Sequence, residues 1–160
     1  VDAGAVLTLA DTGFDAPSRL LSSLGLKLER VADGEAIPGS FWGECEAGLV
    51  GSTVYARADT PVHSLLHEAS HLLVMPPERR AGVHTDASDS VLEEDAACYL
   101  QIVLADAIEG VGSERLMQDM DAWGYSFRLG SARAWFESDA DDALKGLQAF
   151  APGLLESLSR

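Results

Sequence analysis

The segment from Thr60 to Pro77 constrains this chain more than any other. Thr60-Pro61 opens it with an N-cap residue and then a proline, whose missing N–H costs nothing at the first helical position. Met75-Pro76-Pro77 stops it, since proline breaks the helical hydrogen-bond ladder. Between these signals Val62, Leu65, Leu66, Ala69, Leu72 and Leu73 recur at helical spacing and gather on one side, while His63, His67, Ser70 and His71 gather on the other. The pattern predicts one helix with its apolar face in a core and its opposite face presenting ring nitrogens.

Within this helix His67-Glu68-Ala69-Ser70-His71 spells H-E-x-x-H. Residues four apart stand one turn apart on the same face, so His67 and His71 can reach a single Zn²⁺. Glu68 lies on the flank of that face, where a carboxylate can hold and deprotonate a water. His63 extends the row by another turn. Three such residues span about 12 Å along the axis, too far for one ion, so His63 is expected at the rim, as an ordinary polar residue or a proton relay.

A catalytic zinc takes a third protein ligand and keeps one position open for water. The metzincin arrangement places that ligand six residues after the second histidine, but this position is Pro77. Other candidates are His84, Asp86 or Asp89 in the Gly82–Ser90 loop, and Glu93 or Glu94 at the head of a second helix. That helix runs through Leu104 to Ile108 and is closed by Gly110. At about 100° per residue, Glu93 shares its face with Ala97, Leu100 and Leu104, whereas Glu94 lies nearer Gln101. Ser90-x-x-Glu93 also fits a capping box.

The H-E-x-x-H helix followed by a glutamate helix resembles the gluzincins, in which the third ligand begins an E-x-x-A pattern. Both Glu93-x-x-Ala96 and Glu94-x-x-Ala97 satisfy that pattern. The longer pattern of the ImmA/IrrE-type metallopeptidases favours Glu93, with Asp95 and Ala96 in register and Tyr99 in the aromatic place. The resemblance covers roughly Leu24 to Leu104. It implies a zincin-like α+β fold, one Zn²⁺ held by His67, His71 and Glu93, and Glu68 as general base in peptide hydrolysis. It also implies an edge strand along the cleft that can pair with an extended peptide; the segment around Gly48–Arg57 is the candidate. The aspartate that in some gluzincins follows four residues after the ligand is Ala97 here, so a partner for the histidines must come from elsewhere, with Asp95, Asp106 or a backbone carbonyl as options.

The rest of the chain sets the frame. At 160 residues with 47% hydrophobic content it is expected to form one domain, with a catalytic core over about 24–110 and a helical part over 111–160. Leu26–Val31 alternates at period two and reads as a strand, as does Gly48–Arg57. Further helices are expected at Pro17–Leu24, Ser113–Ala122, Ser131–Phe136 and Ala140–Phe150. The aromatic group Trp123-Gly-Tyr125-Ser-Phe127-Arg128 is expected beside the cleft, with Tyr125, Arg128 and Arg133 as candidate oxyanion donors. A net charge of −15 argues against nucleic acid and anionic membranes as partners and leaves solubility, a basic substrate or a basic protein partner as its uses, while the peptidase resemblance implies a peptide or protein substrate. Cys45 and Cys98 make no disulfide framework. Cys98 reads as a small buried hydrophobe, with approach to the metal as the alternative. There is no apolar run long enough to span a membrane, and residues 1–10 lack a signal peptide's basic region, so a cytoplasmic location is expected.

Two other readings compete for these residues. Asp11-Thr12-Gly13 matches the aspartic-protease triplet, but a single copy cannot form the paired carboxylates that chemistry needs. A metal-stabilised regulatory or interaction module could keep the same ligands without hydrolysis, although such a site has no use for Glu68.

Overall fold

A computed structural model describes residues 6–40, 44–83 and 91–158. The helices α1 (Leu9–Thr12) and α2 (Asp15–Ser23) lead into strand β1 (Lys27–Arg30). Strands β2 (Gly48–Val50) and β3 (Thr53–Ala56) follow, then α3 (Val62–Val74), α4 (Pro77–Arg80) and α5 (Val91–Ala105). The C-terminal third holds α6 (Gly112–Trp123), α7 (Ala132–Ser138), α8 (Asp141–Phe150) and a short α9 (Leu154–Leu158). The architecture is mixed α+β. Among the described residues no helix is long and apolar enough to cross a membrane.

The sheet has the order β1-β3-β2, with β1 parallel and β2 antiparallel to β3. The single strand expected over Gly48–Arg57 is instead a hairpin. Val50 pairs with Thr53, leaving Gly51-Ser52 as a two-residue turn with Gly51 at φ 61. Glycine at the first central position is what a type II′ turn requires. This corrects the expected peptide-pairing edge as well, because β3 is bonded on both sides. The outer side of β2 is met by the preceding loop, through the Leu49 N–H to the Gly39 carbonyl at 3.3 Å and a bridge between Ser40 and Gly48. That approach needs bare backbone: a Cβ on Gly48 would stand 2.0 Å from the Pro38 carbonyl oxygen.

Helix α3 starts one residue later than its capping signals suggest. Pro61 is the N-cap, and the Thr60 hydroxyl accepts from the Arg57 N–H at 2.9 Å instead of capping the helix. The Val62 N–H donates to the Leu7 carbonyl at 2.9 Å, which ties this helix end to the N-terminal segment. At the other end the Arg80 guanidinium on α4 bonds the Leu72 carbonyl at 2.8 Å, satisfying one of the carbonyls that a helix C-terminus leaves open. Leu65, Leu66, Ala69 and Leu72 are fully buried. The helix packs on β2 and β3 and against α5, which also packs on α6 and α8. Ala96, Ala97, Leu100, Ile102 and Leu104 give α5 a fully buried apolar surface for these contacts. One apolar cluster runs from Leu9 to Leu147, so the C-terminal helices share the core on which the histidine helix rests.

Asp11 accepts from the Thr8 N–H at 2.9 Å within a capping box, a structural task for the Asp-Thr-Gly triplet.

The Gly39–Gly48 crossing generates a stability test. Gly48→Ala should lower the denaturant midpoint by the equivalent of about 1–3 kcal/mol at unchanged m-value, the range for overpacking a close contact. Gly82→Ala should leave the midpoint in place, since the nearest atom to its added Cβ, the Arg79 carbonyl oxygen, would be 3.8 Å away.

Candidate metal centre

Helix α3 brings His67 and His71 together with their Nε2 atoms 3.1 Å apart and their rings edge to face. Helix α5 brings Glu94 to the same point, with Oε1 at 3.0 Å from His67 Nε2 and Oε2 at 2.8 Å from His71 Nε2. Donors about 2.0–2.1 Å from a tetrahedral zinc stand about 3.3 Å apart. These contacts of 2.8–3.1 Å, the two to Glu94 ending on different carboxylate oxygens, need to open by only a few tenths of an ångström to approach that separation. The donor chemistry, two imidazoles and a carboxylate, fits zinc.

Glu93, the expected third member, is paired elsewhere in this geometry. Its carboxylate accepts from Arg79 Nη2 on α4 at 2.9 and 3.3 Å. The physical reason lies in which face of α5 meets α3. Glu94, Cys98 and Gln101 are spaced four and three apart and so form one stripe, and this polar stripe meets the histidines. Ala97, Leu100 and Leu104, which continue the face of Glu93, go into the apolar core. His84, Asp86 and Asp89, together with Ser90 of the expected capping box, lie outside the described residues.

Sequence reasoning missed Gln101. It is fully buried, donates through Nε2 to the His63 carbonyl at 3.1 Å, and accepts through Oε1 from His67 Nδ1 at 2.7 Å. The donor side fixes the amide's orientation, so its oxygen faces His67 and assigns the proton there to Nδ1. His67 Nε2 is thereby aimed at Glu94. This is the outer support a metal-binding histidine needs. Asp106, one of the expected candidates for it, instead accepts from the Ser113 N–H at 2.7 Å. The signal in the sequence is a lone amide in the apolar run after Ala96, two turns beyond Glu94. His71 Nδ1 is buried with no hydrogen-bond partner among the described residues.

Charge is concentrated at this point. Burial opposes protonation of His67, but Tyr125, Cys98 and Glu94 around it raise its pKa well above the ordinary value. Burial likewise works against ionised Glu94, yet the hydrogen bonds from His67 and His71 hold it well below the usual carboxylate range. His67 thus holds positive charge against ionised Glu94, at the point where a metal ion would bring its own. Glu68 moves the other way: burial chiefly, with Glu94 and Glu46, raises its pKa against the pull of His67 and His71. A more basic carboxylate is a better proton acceptor near neutral pH.

A cavity of about 670 Å³ opens over these groups. His67, Glu68 and Glu94 line it together with Glu44, Cys45 and Glu46 before β2 and Trp123, Gly124 and Tyr125 at the end of α6. The Trp123 indole N–H donates to Glu46 at 2.9 Å, joining the two walls. Of the three expected oxyanion donors only Tyr125 lines this cavity. Arg128 is paired with Asp139, and Arg133 with Glu114 and Glu137. A second cavity of about 430 Å³ shares Glu94 and Tyr125 as walls and has Cys98 on its border.

His63 is not at the rim, as expected, but buried, with 1% of its surface exposed. Its ring packs against Trp123 and Tyr125 at centroid distances of 5.1 and 5.4 Å, and Nδ1 lies 3.3 Å from the Tyr125 hydroxyl. A scan against protein-family models found no match to this chain, and searches of curated proteins and of solved structures found none either.

Burial, with the neighbouring His67 charge, pushes the pKa of His63 down from 6.5 to about 3. Between these values the unfolded chain binds a proton that the folded chain refuses, so this residue destabilises the fold as pH falls from about 6.5 toward 3. A tenfold change in proton affinity is worth about 1.4 kcal/mol, which makes the full effect several kcal/mol. Denaturant melts of the wild type and His63→Phe across this range should diverge, with the wild type losing stability faster on acidification. Parallel curves would show that His63 is protonated without penalty.

Proposed function

We propose that this chain is a zinc-dependent metallohydrolase with a zincin-like fold, and that its substrate is a peptide or protein. The convergence of His67, His71 and Glu94 within 3.1 Å, beside Glu68 in an open cavity, carries the reading. In it, His67, His71 and Glu94 hold one Zn²⁺, and Glu94 takes the gluzincin role first expected of Glu93. When bound, the ion supplies a Lewis acid that lowers the pKa of water and polarises the scissile carbonyl.

The chain's own residues supply the remaining chemistry. Glu68, made more basic by burial, accepts the proton of the attacking water and passes it to the leaving amine. Gln101 keeps the proton of His67 on Nδ1 and so keeps Nε2 available as a donor to the ion. Tyr125, whose pKa burial raises to about 12, stays protonated and can donate to the carbonyl oxygen as negative charge develops on it. The cavity volume falls in the range of sites that enclose small ligands or a few side chains. Free Cys45 and Cys98 suit a reducing compartment, in keeping with a cytoplasmic location.

Two measurements test this reading. Metal analysis should find one zinc per chain in the wild type and in Glu93→Ala, and a large loss in Glu94→Ala and His67→Ala. Glu68→Gln should keep its zinc while chelator-sensitive cleavage of a peptide library drops by about 10²-fold or more. Zinc at one per chain with no cleavage of any peptide would make the protein a binding or regulatory module. Loss of zinc from Glu68→Gln would overturn the division between ligands and base.

A further inference from the structure

Cys98 stands one turn after Glu94 on the stripe of α5 that faces the histidines, and it is buried. Ligand atoms of His67, Glu94 and Cys98 all lie within 4.8 Å of one another. In a tetrahedral zinc shell with a Zn–S bond of about 2.3 Å and a Zn–N bond of about 2.0 Å, sulfur and nitrogen are about 3.5 Å apart. Relative to His67 and Glu94 the thiol is therefore within about an ångström of bonding separation, an adjustment that a change of side-chain torsion provides.

We propose that Cys98 is a fourth protein ligand of the metal, so that the resting site is a closed His67, His71, Glu94 and Cys98 shell. The inference rests on the reading that these histidines and Glu94 bind a metal ion. Cys98 borders the smaller cavity, while Glu68 lines the larger one, and Glu94 forms a wall of both. The sulfur thus comes to the ion from a different side from the water that Glu68 would serve. Four protein donors are the mark of a structural zinc site, and three with an open position are the mark of a catalytic one. This chain holds both options in one place: thiolate bound, the ion is shielded; thiolate released or the shell expanded to five, water gains access beside Glu68. On binding, the thiol gives its proton to solvent and its sulfur lone pair to the ion, with no change of oxidation state. A soft sulfur donor also biases the site toward zinc and other thiophilic ions over magnesium or calcium.

Cobalt substitution reads the sulfur directly. The Co²⁺-loaded wild type should show a sulfur-to-cobalt charge-transfer band in the near ultraviolet, together with the visible bands of a four-coordinate ion. Cys98→Ser should lose the charge-transfer band, keep visible bands from the remaining ligands, and bind Co²⁺ at least about tenfold more weakly, since even outer-sphere changes reach that size. Cys45→Ser should keep the band. A wild-type spectrum without the band, or a band that survives in Cys98→Ser, overturns the proposal regardless of how well the variants fold. Peptide cleavage by a protein without the band would remove the sulfur ligand and leave the peptidase reading standing. The band in a protein that cleaves no peptide would support the sulfur ligand and remove the peptidase reading. Failure of the wild type to bind Co²⁺ would overturn both.

Discussion

The buried amide of Gln101 ties the two helices of the site to each other, and the site's geometry depends on that tie. One end of the amide is spent on the His63 carbonyl of α3 and the other on the His67 ring, one turn further along the same helix. Leaving either end unpaired in a fully buried position would cost about 1–3 kcal/mol. Sliding α5 along α3, or turning it, would break both bonds at once. Glu94 lies two turns before Gln101 on the same stripe and is delivered to His67 and His71 by the same registration. The sheet under α3 and the helices α6 and α8 around α5 act as supports for this contact.

Three histidines in one row come to three different ends because their surroundings differ. His63 is enclosed by aromatic rings, and burial favours its neutral form. His67 is less deeply buried and faces Tyr125, Cys98 and Glu94, which together outweigh the loss of solvent. His71 touches the same carboxylate from the next turn. Residue type and spacing are identical along the row, so partner and burial make the difference.

Much of this can be read in the sequence, and what is lost has definable causes. The histidine helix, the glutamate helix, α6 and α8 announce themselves through apolar spacing over ten or more residues, a signal that local packing cannot easily overturn. The hairpin is hidden because Leu49, Val50, Thr53, Val54 and Tyr55 all favour strands, and only Gly51-Ser52 marks the reversal. The choice between Glu93 and Glu94 turns on about 100° of helix rotation. Pattern matching alone cannot supply that angle, because the tertiary contact decides which face of α5 looks toward α3. The position of Gln101 holds the answer: a polar face has to meet a polar face, and the leucine stripe of Glu93 has no reason to turn toward imidazoles.

The pairing of Arg79 with Glu93 has a consequence for how such a chain can vary. Two neighbouring, chemically identical acids could in principle trade places by a small turn of the helix, and the site would then be degenerate. Arg79 breaks that symmetry, since exchanging the two would strand a nearly buried carboxylate away from its guanidinium and put the other acid in a place built for its neighbour. The two glutamates therefore have separate structural tasks. A change at position 93 acts on the contact with Arg79, and a change at position 94 acts on the contact with His67 and His71.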